Sequence, residues 1–228
     1  MRVHQFESRE QASEKAAAQI LVSLRRQLDI NDNAAIVVSG GSTPKQCFTS
    51  LSNAALNWQN VRVFLSDERW LPAEHPDSNE KLIRDSLLTG AAKGAKLQGV
   101  FHEGITIEQA CHTIENEIRQ QPVPFASVLL GMGVDGHFAS LFPDFDGLAT
   151  ALDINSNRFC LPVHTAASSW PRVSLTLSVL CRSDEILLLI FGEEKWQTLE
   201  LARLSDDAYP VSRLLSQTQT PVHVYWAA

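Results

Sequence analysis

Short apolar runs set the limits on how this chain can fold. Ala35–Val38 and the segment Glu185–Phe191 (EILLLIF) show almost no alternation of apolar and polar residues, so strands built from them must be buried on both faces. Val61–Leu65, Val128–Leu130 and Val222–Trp226 read as further short strands. Between the runs lie segments of helical period, such as Ala12, Ala16, Ile20, Leu24 and Leu28, or Ala110, Ile114 and Ile118. Buried strands alternating with amphipathic helices predict an α/β fold. Its core would be a doubly wound, mostly parallel sheet flanked by helices, a Rossmann-like three-layer arrangement.

Local signals place the elements. Val3–Phe6 reads as a first strand, and Ser8 with Gln11 matches a capping box that opens the first helix. Thr43 suits an N-cap and Pro44 a first helical position, starting a helix to about Ser52. Asp77–Asn79 would cap a helix through Leu88, and Thr106 with Gln109 forms a second capping box. The stretch from Thr89 to Gly104 reads as loop with a short strand near Val100, and Asp144–Phe159 as irregular. Pro210 opens a short helix before the last strand. No internal repeat or linker divides the 228 residues, so one α/β domain over residues 1–228 is expected.

The formal net charge is −7, which disfavours nonspecific binding to nucleic acid or to an anionic membrane. An anionic ligand would therefore need a local cluster of cations. Cys47, Cys111, Cys160 and Cys181 are far apart and show no metal-ligand spacing, so reduced thiols, no metal and no disulfide framework are expected. The N-terminus has no apolar h-region and no run approaches membrane-spanning length. A soluble cytoplasmic protein, monomeric or weakly homo-oligomeric, is the expectation.

Chemistry concentrates where strands end. Ser39-Gly40-Gly41-Ser42-Thr43 follows one strand and offers backbone N–H groups beside a helix start, an arrangement suited to phosphate. Asp67-Glu68-Arg69 follows the next. Gly131–His137 (GMGVDGH) follows a third, with Asp135 two residues before His137, as a water-activating base requires. Gly192–Lys195 follows a fourth and places a lysine in a helix first turn, against the helix dipole unless an anion sits there. In a parallel sheet all four loops lie at one end. Together with Arg172 they supply an anion cradle, cations, a base, and two carboxylates, Asp67 and Asp135, either of which could orient it. Gly131–Gly136 also fits the dinucleotide pattern G-x-G-x-x-G, but Pro143 leaves little room for the helix that pattern requires. Arg158 reads as an exposed loop arginine before an anion contact, and His75 as an exposed loop residue near the mouth.

The segments SGGSTP, DERW followed by DSN, GMGVDGHFASLFP, PRVSLTL and FGEEK occur in one order over nearly the whole chain. In this they resemble the glucosamine-6-phosphate isomerase/6-phosphogluconolactonase family, and within it the lactonase branch. The resemblance implies hydrolysis of 6-phospho-D-glucono-1,5-lactone to 6-phosphogluconate without metal or cofactor. It implies His137 as general base with Asp135 or Asp67 orienting it. Gly40, Gly41, Ser42, Thr43, Arg172 and Lys195 would hold the phosphate, and backbone N–H groups of a glycine loop or Arg69 would serve the developing oxyanion. The related deaminases carry a glutamate five residues after that histidine, where this chain has Phe142, and an aromatic where it has Arg69. Aminosugar-phosphate deamination and non-catalytic sugar-phosphate sensing are the rival functions; for the second, no basic or helix-turn-helix extension is present.

Overall fold

The computed structural model describes residues 1–121 and 124–228. Its central sheet has seven strands in the order β1 (Arg2–Gln5), β10 (Val222–Ala227), β9 (Ile186–Phe191), β6 (Ser127–Leu130), β2 (Ala34–Val38), β3 (Val61–Leu65) and β5 (Lys96–Leu97). Every pairing in it is parallel. Every residue of β2 and β6 is buried, which is why their sequences carry no polar alternation. Helix α1 (Arg9–Asn31) lies across β2, β9 and β10 and buries Ala12, Ala16, Ile20 and Leu24, the positions its period predicts.

The strand order locates the site. From β2 the chain builds outward through β3 to β5, then returns to β6 on the other side of β2 and continues through β9 to β10. The order reverses between β2 and β6, and the loops leaving their carboxyl ends part there to form a crevice. Register holds the two ends level: Val38 lies opposite Leu129, and Ser39 N–H donates to Leu129 C=O at 3.0 Å. These loops are the two glycine-rich ones.

A second, antiparallel sheet has the order β4 (Asp67–Arg69), β8 (Arg172–Leu175), β7 (Cys160–Val163). The sequence reading has Asp67–Arg69 as loop and misses β7. A three-residue charged strand and a four-residue one interrupted by Pro162 carry too little pattern to betray a ladder.

Other boundaries also move. Helix α2 (Lys45–Ser52) starts one residue later than expected, with Pro44 at the cap position and no side-chain cap, so the Thr43 hydroxyl does not close the helix. Ser8 does cap α1, accepting from Gln11 N–H, but Gln11 reaches back to Glu7 N–H rather than to Ser8, so the box is only half made. Ser78 caps α3 (Asn79–Ser86), and Thr106 with Gln109 makes the full box on α4 (Ile107–Arg119). The strand expected near Val100 lies at Lys96–Leu97, and α5 (Leu148–Leu152) interrupts the stretch read as irregular. A short α6 (Leu177–Leu180) precedes β9, and α7 (Glu193–Ala202) and α8 (Pro210–Ser216) follow it. Among the described residues no helix is long and apolar enough to cross a membrane.

Candidate active site

The crevice is a cleft of about 260 Å³. Gly40, Gly41, Ser42 and Thr43 line it from the β2 loop, Asp67 and Arg69 from β4, Gly131, Gly133 and His137 from the β6 loop, Arg172 from β8 and Lys195 from α7. All the candidate residues drawn from separate stretches of sequence thus meet at one place, and Asp135 stands directly behind His137.

His137 is held on three sides. Asp135 Oδ1 lies 2.6 Å from His137 Nδ1 and also accepts the backbone N–H of His137 at 3.2 Å. The Phe142 ring packs against the imidazole with centroids 4.2 Å apart. The bend itself is closed by Gly133 N–H to His137 C=O at 2.9 Å. From outside, Thr198 of α7 donates to Val134 C=O at 2.8 Å and Val211 N–H of α8 to Gly136 C=O at 3.0 Å. With Nδ1 engaged by the carboxylate, Nε2 is the nitrogen left for chemistry, and the side chain keeps 28 % of its surface exposed. Of the two aspartates left open by the sequence, Asp135 makes the contact.

Asp67 serves a different set of partners. Its Oδ1 accepts from Ser66 Oγ at 2.8 Å, and Ser66 Oγ lies 2.8 Å from Ser39 Oγ. Its Oδ2 accepts from Ser140 Oγ at 2.6 Å and lies 3.7 Å from Arg172 Nη1. Burial, with the nearby Arg69 charge, draws the Arg172 guanidinium below its usual range, while Asp67 opposes that shift. Ser168 Oγ accepts from Arg172 Nε at 2.8 Å, so the guanidinium is fixed from both ends. Sequence reasoning missed the side-chain roles of Ser39, Ser66 and Ser140. The first two are the residues just past the paired strand ends Val38 and Leu65, a signal that needs the register to be known.

The Asp-Glu-Arg triplet divides by strand alternation. Asp67 and Arg69 face the cleft, whereas Glu68 turns to the opposite side and is 1 % exposed. Its carboxylate accepts from the N–H groups of Arg69 (2.7 Å), Asn79 (2.8 Å) and Glu80 (2.7 Å) and from Ser78 Oγ (3.0 Å). Burial pushes its pKa up, against those four donors. This residue ties β4 to the start of α3. Asn79 then donates to Asp67 C=O at 2.9 Å and lies where a side chain on Gly40 would stand, since a Cβ there would come 1.9 Å from Asn79 Oδ1. Glu68→Ala strands two buried N–H donors and a partly buried third, so the expected loss is roughly 3–5 kcal/mol, measured by urea unfolding. A loss below about 1 kcal/mol would contradict this role.

Lys195 lies half-buried at the start of α7, and burial, with the Arg9 charge behind it, lowers its pKa against Glu194. Arg158 does not reach the cleft; it pairs with Glu115 at 3.4 Å. His75 packs edge-on to Trp170 at 5.7 Å and is outside the lining. Among the described residues no group of three or more potential metal ligands is found.

Residues 7–226 match the family described as glucosamine-6-phosphate isomerases/6-phosphogluconolactonase. The chain belongs to that family. Within the family it is similar to 6-phosphogluconolactonases from Mesorhizobium japonicum (39 % identity, covering 97 % of this chain and 93 % of the relative) and Pseudomonas aeruginosa (36 %, covering 92 % and 88 %). The crystal structure of a 6-phosphogluconolactonase from Shewanella baltica superposes with a TM-score of 0.95 at 34 % identity, covering 100 % of this chain and 98 % of that one. The family fold is the doubly wound one expected from the apolar runs.

Proposed function

We propose that the protein hydrolyses 6-phospho-D-glucono-1,5-lactone to 6-phospho-D-gluconate, the lactone-opening step of the oxidative pentose phosphate pathway. The observation that carries the chemistry is the 2.6 Å contact between Asp135 and His137 Nδ1 on the wall of a cation-lined cleft. His137 Nε2 takes a proton from water as the water oxygen attacks the lactone carbonyl carbon. Asp135 holds the tautomer and stabilises the imidazolium that forms. The carbonyl oxygen gains the negative charge, and Arg69 with loop N–H groups stabilises it. The tetrahedral intermediate collapses with cleavage of the bond to the ring oxygen, which receives the proton back from His137. No metal or cofactor enters this scheme.

The phosphate is held by N–H groups of Gly40–Thr43 with Lys195 and Arg172. Phe142 favours the lactonase over the deaminase, because it fills with an aromatic ring the place of the carboxylate that the resemblance implies for deamination. The ring packs on His137 and lies 5.2 Å from the Arg172 guanidinium carbon. Four free, buried cysteines support a reducing, cytoplasmic setting.

The test follows lactone disappearance with and without protein, corrected for spontaneous opening, beside an assay of ammonia release from glucosamine-6-phosphate. Lactone loss above background with no ammonia is expected; the reverse would overturn the assignment. Lys195→Ala is expected to raise KM roughly 10–100-fold with kcat little changed, the loss of one charge-assisted contact. A fall in kcat at constant KM would remove Lys195 from the phosphate seat.

A further inference from the structure

A second hollow of about 690 Å³ opens beside the cleft and shares Ser42, Thr43 and Lys195 with it. Its other charged lining residues are Arg9 and Lys45, opposed by the single carboxylate of Glu10. Three cations against one carboxylate is an unusual balance in a chain whose net charge is −7. Through the residues they share the two hollows adjoin, and cations predominate over carboxylates along this route.

Arg9 is not a loose surface arginine. Its Nε donates to Ala228 C=O at 3.1 Å, and its guanidinium stands 5.6 Å from the Phe191 ring, beside the turn that delivers Lys195. Lys45 opens α2, directly after the glycine-rich loop, and is exposed. Neither pairs with an Asp or Glu side chain among the described residues, whereas Arg172 is neighboured by Asp67.

We propose that Arg9 and Lys45 form an outer anion seat that captures the phosphate monoester of the substrate and passes it to the inner seat, Lys195 being common to both. The proposal rests on the phosphosugar reading of the cleft and extends it to how a dianion approaches an acidic protein. Steering of this kind raises association and is screened by salt, whereas contacts inside the cleft are screened far less.

The experiment measures kcat/KM for 6-phosphogluconolactone from about 20 mM to about 500 mM salt. The proteins compared are the wild type, Arg9→Gln/Lys45→Gln and the charge-keeping Arg9→Lys/Lys45→Arg. The neutralised variant is expected to lose roughly tenfold at low salt and to converge on the wild type at high salt, while the charge-keeping variant follows the wild type throughout. A loss independent of salt would mark a structural role and overturn the seat, as would no loss at any salt; Lys45→Gln alone, whose side chain supports nothing else, repeats the test if the double variant unfolds. A wild type inactive on the phospholactone would bring down the phosphosugar reading and this seat with it, an outcome distinct from an active enzyme whose variants keep its salt profile.

Discussion

His137→Ala is expected to lower kcat on the phospholactone by about 10²–10⁴-fold while leaving KM within a few-fold of its original value. The reasoning is positional. The imidazole touches the cleft but none of the cations or loop N–H groups assigned to the phosphate, so its removal leaves that seat intact. The variant should also fold, because the Gly133-to-His137 closure of the bend is backbone to backbone and Asp135 is 40 % exposed at its side chain. Stopped assays at several enzyme concentrations separate the residual rate from spontaneous hydrolysis. Turnover within threefold or so of the wild type would remove His137 from the mechanism.

A single methyl group placed at residue 133 should do nearly as much damage. A Cβ on Gly133 would stand 2.3 Å from His137 Nδ1 and 2.4 Å from Asp135 Oδ1, in the middle of the contact that sets the tautomer. Atoms cannot share that space, so Gly133→Ala must push the ring or the carboxylate aside. A displacement of about 1 Å is enough to cost on the order of 10²-fold in kcat. The bend is exposed on its outer side at Val134 and half-buried at Asp135, so the strain can be relieved locally and the melting temperature should fall by only a few degrees. Full activity in Gly133→Ala would show that the Asp135–His137 contact is dispensable. A collapse in stability equal to the loss of activity would show that the glycine serves folding instead.

The sequence carried the framework of this fold because burial writes itself into composition. Strands such as Ile36–Val38 or Leu187–Ile190 admit no polar residue, and a parallel sheet follows from that. The loops at its carboxyl end were legible for the same reason, since topology alone brings Gly40, Asp67, His137 and Lys195 together. Rotamers and registers were not. Whether Asp67 or Asp135 faces His137 depends on how the bend turns, and the roles of Ser39, Ser66 and Ser140 depend on which strand ends lie side by side. Glu68 shows the limit most clearly: three adjacent charges looked alike, and only the alternation of a strand invisible in the sequence sends the middle one to hold a helix. Arg9 was hidden by distance along the chain, 186 positions before Lys195.

The placement of β1 at the outer edge, hydrogen-bonded to β10 alone, has a consequence for biosynthesis. Strand β1 has no neighbour in the sheet until β10 has been made, because residues 222–227 lie between it and the other strands. It must wait, unpaired, while the strands between the two in sequence are made. Arg9, which follows that strand and bonds to Ala228 C=O, takes its position only once β10 is in place.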